Sequence, residues 1–157
     1  MAEALITDPT LSKEESYKQL LPQVAALVEG EPNYLANRAN LCAVLKAAFN
    51  FLWVGFYNLD GDELVLGNFQ GPVACTRISR GKGVCGSAWD RNEAIIVKDV
   101  DLFPGHIACS SLSRSEIVIP VRDKNGSLIA VFDVDDEALG RFDEIDLKYM
   151  NKMLDLI

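Results

Sequence analysis

Apolar positions at Tyr17, Leu20, Leu21, Val24, Leu27 and Val28 recur at helical spacing and form one stripe. Just before them, Ser12-Lys13-Glu14-Glu15 has the form of a capping box. Ser12 can accept from the N3 amide while Glu15 reaches back to the cap. Gly30 ends this helix, and Pro32 suits the first turn of a second one that runs to about Phe49. From Leu52 the period changes. Leu52 to Leu59 is dense in aromatic and branched residues, Asp60-Gly61 is a hairpin signal, and Glu63 to Gln70 is the partner strand. Ala74 to Ser79 predicts a short strand or extended loop, broken by Gly81-Lys82-Gly83, and Val84 to Arg91 a short helix. Ala94 to Lys98 is a strand, and Asp99 to Ser113 a long loop with room for one helical turn. Ser115 to Arg122 and Ser127 to Asp135 are strands around Asp123-Lys124-Asn125-Gly126. Phe142 to Ile157 closes the chain as a helix with an acidic start. Helices, then an antiparallel sheet, then a helix make an α+β layered architecture.

A chain of 157 residues favours one domain, 1–157. Residues 1–50 would hold the N-terminal helices, 51–141 the sheet and active-site loops, and 142–157 the last helix. The formal charge is −8 and no basic face is visible, which argues against a nucleic-acid partner. No apolar run has the length of a membrane span. Met1 to Ser12 lacks a basic start followed by an apolar core, so no signal peptide is expected. The expected compartment is the cytoplasm, where a disulfide is usually transient and catalytic.

That expectation gives weight to four cysteines. Cys42 lies in the apolar pattern of the second helix and is expected to pack as a small hydrophobe. Cys75, Cys85 and Cys109 lie in or beside loops rich in Gly, Ser and basic residues, where function is concentrated. Cys85 follows Gly81-Lys82-Gly83 and opens a helix. Backbone amides and Lys82 would lower its thiol pKa from about 8.5. Cys109 lies three residues after His106, the one histidine, with Arg114 nearby in sequence. Either cation would favour a thiolate. Three buried, unrelated thiols are the plain alternative. Three Cys and one His are also a zinc set in principle. The short Cys-x-x-Cys knuckle is missing, however, so no metal is expected.

Ala130-Val131-Phe132-Asp133-Val134-Asp135 is an apolar strand ending in two acids. Alternation puts Asp133 and Asp135 on one face and Phe132 and Val134 on the other. Glu116 heads the apolar run Ile117-Val118-Ile119 in the same way. These acids are either a solvated strand end or a pocket for an ammonium group with one carboxyl held protonated. Trp53 and Tyr57 share a face four residues apart. They suit a core or the wall of a pocket for a small methyl-bearing group.

Four stretches together resemble free methionine-(R)-sulfoxide reductases, a family of stand-alone GAF domains. They are Gly71-Pro72-x-Ala74-Cys75-x-Arg77-Ile78, Gly81-Lys82-Gly83-Val84-Cys85-Gly86, Phe103-Pro104-Gly105-His106-Ile107-Ala108-Cys109 and Ser113-x-Ser115-Glu116-Ile117-Val118-x-Pro120. Trp53-Val54-Gly55-Phe56-Tyr57 and Gly140-Arg141-Phe142-Asp143 fit as well. The resemblance implies a central antiparallel sheet with helices on one face and loops closing a pocket on the other. It implies Cys109 as the catalytic cysteine and Cys75 and Cys85 as recycling positions, with Cys85 the alternative attacking thiol. It further implies Glu116, Asp133 and Asp135 as pocket carboxylates and Trp53 and Tyr57 as the aromatic wall. The implied chemistry is attack of a thiolate on the sulfoxide sulfur, with Glu116 or Asp135 as proton donor. A sulfenic acid and then a disulfide follow, and thioredoxin restores the thiols in the response to oxidative stress. No cofactor is implied, and a homodimer is possible. One departure is Asp136-Glu137, where the family usually has Ser after the second Asp; it adds negative charge beside the pocket. The chief rival is a GAF module that senses a cyclic nucleotide or similar small molecule without chemistry. Such modules are normally fused to an output domain, for which no segment is seen here.

Overall fold

The computed structural model describes residues 4–106 and 110–157. Helix α1 (Lys13–Val28) opens on the expected capping box: Ser12 N–H donates to Glu15 Oε2 at 3.0 Å and Glu15 N–H returns to Ser12 Oγ at 3.4 Å. Helix α2 (Tyr34–Phe49) starts two residues later than its proline suggested. Asn33 is the cap, accepting from the amides of Leu35 and Ala36, and Pro32 lies outside the helix.

Strands β1 (Trp53–Asp60) and β2 (Glu63–Gln70) form the hairpin, with Gly61 at a φ of 60°. After β3 (Arg77–Ser79) come α3 (Gly83–Arg91), β4 (Ile95–Val97) and one turn of 3-10 helix at Val100–Leu102. The long strands β5 (Ser115–Arg122) and β6 (Leu128–Asp136) follow. Their turn is held by Asp123 Oδ1, which accepts from Asn125 and Ser127 N–H at 2.8 and 2.9 Å. Helix α4 (Glu144–Leu154) is capped by Asp143.

The strands form one sheet in the order β3-β2-β1-β6-β5-β4, every neighbouring pair antiparallel. Alternation divides its side chains between two apolar layers. On one face Val54, Phe56, Ile117, Ile119, Phe132 and Val134 pack with the stripes of α1, α2 and α4. Stacked and tilted aromatic pairs through Tyr17, Phe49, Phe51, Phe142 and Tyr149 join these helices. The buried Asp146 carboxylate accepts from Tyr17 Oη at 2.8 Å and pairs with Lys13, fixing the first turn of α4 to α1. On the other face Tyr57, Leu64, Val118 and Val131 meet Val84 and Ala88 of α3. This helix therefore lies on the pocket side, an addition to the expected arrangement of helices on one face. No helix among the described residues is long and apolar enough to cross a membrane.

Candidate active site

The second face is where the predicted chemistry collects. Its cavity is lined by Trp53, Tyr57, Cys85, Glu116, Asp133 and Asp135, with His106, Ser110 and Ser113 from the long loop and Pro72, Val73 and Ala74 from the segment before Cys75. Strand pairing does the assembling. Asp135 is opposite Trp53 on β1 and opposite Glu116 on β5, and Asp133 is opposite Gly55 and Val118. The three acids therefore stand in adjacent rows on one face. Asp136, one residue on, points to the other face. Its carboxylate accepts from Ala138 N–H at 2.9 Å and lies 3.9 Å from Arg141 Nε. Its charge still reaches the pocket, where it adds to the rise of the Asp135 carboxyl.

Gly55 makes room for the aromatic wall. A Cβ there would fall 2.5 Å from Trp53 Cη2, 2.4 Å from Phe69 Cβ and 2.8 Å from the Asn68 carbonyl oxygen. With no side chain at 55, the indole stacks against Phe69 and Tyr57 at centroid distances of 5.4 and 5.8 Å. Gly55→Ala is expected to displace the indole, cost about 1–3 kcal/mol of stability and raise KM more than it lowers kcat. Thermal unfolding together with steady-state kinetics checks this; an unchanged KM would show that the indole does not shape the site.

Glu116 and Asp133 are each 6 % exposed and Cys85 4 %. Burial, reinforced by the neighbouring acids, raises the carboxyls of Glu116 and Asp133 well above the usual range. Asp135 is raised to about 6. Burial is the main cause, opposed by Ser113, whose hydroxyl donates to Asp135 Oδ1 at 2.5 Å. Ser113 stood in the quoted motif without a role, and serine beside a strand of acids was the available signal.

The Cys85 thiol departs from its expectation. Burial raises its pKa first, then Asp133, Glu116 and Asp135 add to the effect, and together they hold it protonated. The helix start and the exposed Lys82 do not offset three acids. Cys85 Sγ stands 4.0 Å from Glu116 Oε1. His106 Nε2 is 3.9 Å from Glu116 Oε2, with its pKa lowered by burial. Cys42 is fully buried in the helix layer, and burial pushes its thiol up to about 12. Cys75 is disulfide-bonded, and its carbonyl accepts from Tyr57 Oη at 3.0 Å, which ties the Cys75 loop to the aromatic wall. Cys109 lies outside the described residues, as do Ile107 and Ala108.

Raised carboxyls have a stability consequence. Between pH about 4 and 6 the folded chain keeps a proton on Asp135 that the unfolded chain has released. The contribution is therefore fully present below pH about 4 and is lost as pH rises through about 6. Thermal midpoints of wild type and Asp135→Asn, compared from pH 5 to 7.5, should show the wild type losing ground as pH rises. Parallel curves would show that Asp135 titrates normally.

Among the described residues, two buried polar atoms on the cavity lining have no hydrogen-bond partner: Trp53 Nε1, a donor, and Asp133 Oδ1, an acceptor. Buried groups of this kind call for a partner, which a water, an ion or a substrate can supply. Such a partner accepts near the indole and donates near the acids.

The GAF domain model matches residues 25–157. The chain belongs to the GAF domain family, among the free methionine-R-sulfoxide reductases. It is 43 % identical to free methionine-R-sulfoxide reductase of Escherichia coli, over 92 % of this chain and 87 % of that one. It is 58 % identical to GAF domain-containing protein A of Dictyostelium discoideum, over 93 % and 92 % of the two chains. Among solved structures, free methionine-R-sulfoxide reductase from Neisseria meningitidis in complex with its substrate superposes with a TM-score of 0.94 at 49 % identity. It covers 99 % of this chain and 93 % of the other.

Proposed function

We propose that the chain reduces free methionine-(R)-sulfoxide to methionine with its own thiols. One observation carries the reading: an unpartnered indole donor and an unpartnered carboxylate acceptor, both buried, on a cavity lined by three acids. The ammonium of a free amino acid answers Asp133 and its neighbours, while an oxygen of the substrate accepts from Trp53. The same acids would repel a phosphate, which disfavours a cyclic-nucleotide sensor. A peptide-bound sulfoxide has no ammonium to offer.

In the proposed reaction Cys109 attacks the sulfoxide sulfur as a thiolate. Glu116 or Asp135 gives its proton to the sulfoxide oxygen. Attack forms a bond from Cys109 sulfur to the substrate sulfur. The protonated oxygen then passes from the substrate sulfur to Cys109 sulfur as that sulfur–sulfur bond and the substrate sulfur–oxygen bond break, so methionine leaves as the thioether and Cys109 becomes a sulfenic acid. The Cys75 thiol then attacks Cys109 sulfur, forming the disulfide and releasing the oxygen as water. The disulfide-bonded state of Cys75 and the free thiol of Cys85 favour Cys75 over Cys85 as the resolving group. Thioredoxin exchanges its dithiol for the disulfide, which suits a reducing cytoplasm and the repair of oxidised amino acids. Oligomerisation, a homodimer included, is not required by any of these steps.

Thioredoxin-coupled turnover should be seen with the free R diastereomer, with little on the S form or on oxidised peptides. Equal rates on both diastereomers, or a preference for peptides, would sink the assignment.

A further inference from the structure

Cys85, Glu116 and Asp133 belong to α3, β5 and β6, yet one ligand atom from each lies within 4.8 Å of the others, and all three residues are buried. Cys85 Sγ and Glu116 Oε1 are 4.0 Å apart. Asp133 is 94 % buried, and among the described residues its Oδ1 has no hydrogen-bond partner. His106 Nε2 stands 3.9 Å from the other oxygen of Glu116. A buried set of one thiol and two carboxyls presents three potential anions to a cavity that Lys82 also lines, and His106 stands closest to their charge through Glu116.

The donor types select the ion. Magnesium and calcium take oxygen ligands and avoid sulfur, whereas zinc accepts thiolate, carboxylate and imidazole. Zinc binds sulfur at about 2.3 Å and carboxylate oxygen at about 2.1 Å, so tetrahedral ligands sit about 3.4–3.6 Å apart. The atoms of Cys85, Glu116 and Asp133 need to close by about 1 Å to meet those values, within the reach of side-chain rotation.

We propose that the substrate cavity is also a zinc site, with Cys85, Glu116 and Asp133 as ligands and His106 or a water in the fourth position. Zinc there takes the acceptors that an ammonium would use, so bound ion excludes substrate. This set differs from the three-cysteine, one-histidine combination weighed from the sequence, sharing only Cys85 and His106 with it. Zinc occupancy stands apart from the catalytic reading; only the exclusion of methionine sulfoxide rests on that reading.

The test uses the full chain carrying Cys75→Ser and Cys109→Ser, so that only Cys42 and Cys85 remain as thiols. Calorimetric titration with zinc chloride should give one ion per chain, and magnesium chloride should give no binding. Cobalt(II) in place of zinc should show a thiolate-to-metal charge-transfer band. Adding Cys85→Ser should abolish that band, and Cys85→Ser or Asp133→Asn should each weaken zinc binding at least about tenfold. Adding Cys42→Ala should change neither. Near-ultraviolet circular dichroism confirms that each variant is folded. No zinc binding, or a cobalt band and affinity that survive Cys85→Ser, overturns the site. Zinc binding that methionine sulfoxide fails to weaken would overturn the exclusion while leaving the ligand set standing.

Discussion

Cys109→Ser should release no methionine even in a single turnover, while Cys75→Ser releases close to one equivalent and then stalls. Attack and recycling need different thiols, and the two variants remove one each. A serine hydroxyl is a far weaker nucleophile than a thiolate, so the fall in the first step should be at least about 10³-fold. Cys75→Ser leaves the attacking thiol in place but removes the group that condenses with the sulfenic acid, so steady-state turnover falls while the first chemical event survives. Rapid quenching with chromatographic measurement of methionine, and trapping of the sulfenic acid by a dimedone-type reagent, separates the cases. Cys85 is the control that decides the assignment. It sits among raised carboxyls that keep it a thiol, so Cys85→Ser should still release the first equivalent. If Cys85→Ser releases none and Cys109→Ser releases one, the attacking role passes to Cys85.

That contrast shows where sequence reasoning ran out. For Cys85 the local signals were sound: it follows a Gly-Lys-Gly segment and lies in the first turn of α3. What reverses their effect is nonlocal, because Glu116 and Asp133 arrive from strands 31 and 48 residues further along the chain, by subtraction of their numbers. Short-range patterns fared better. The capping box at Ser12, the two faces of β6 and the hairpin at Asp60 each follow from a few neighbouring residues. Strand alternation also explains why the Asp136 side chain turns from the pocket, while its charge still raises Asp135 as the sequence suggests. The pairing of Glu116 with Asp135 and of Gly55 with Asp133 needed the register of three strands, which no local pattern specifies. The position of α3 on the pocket face was equally hidden. Gly86 allows it, since a Cβ there would lie 2.4 Å from the Ser79 carbonyl oxygen.

The carboxylates should divide their labour by position. Glu116→Gln or Asp135→Asn should slow methionine release in the first turnover, with the true donor losing about 10² to 10⁴-fold. Asp133→Asn should mainly weaken substrate binding, by roughly ten to a hundredfold, the worth of one charged hydrogen bond. The reason is proton economy. Three acids in one dry site do not all ionise, and the substrate's single ammonium answers only part of their charge. A proton therefore remains on a carboxyl where the sulfoxide oxygen needs one. The pH profile identifies the donor. A protonated carboxyl is lost as pH rises through its pKa, so its contribution to the rate falls with rising pH, while formation of the attacking thiolate works in the opposite direction. If Asp135 is the donor, the falling limb lies near pH 6 and disappears in Asp135→Asn. If Glu116 is the donor, a falling limb raised by burial and by its two neighbouring acids disappears in Glu116→Gln and survives in Asp135→Asn. Ser113→Ala separates the assignments again: removing the hydrogen bond that favours ionised Asp135 should move an Asp135 limb to higher pH and leave a Glu116 limb nearly where it was. If all three neutral variants release methionine at the wild-type rate and affinity, the acids are a structural strand end and the proton must come from elsewhere.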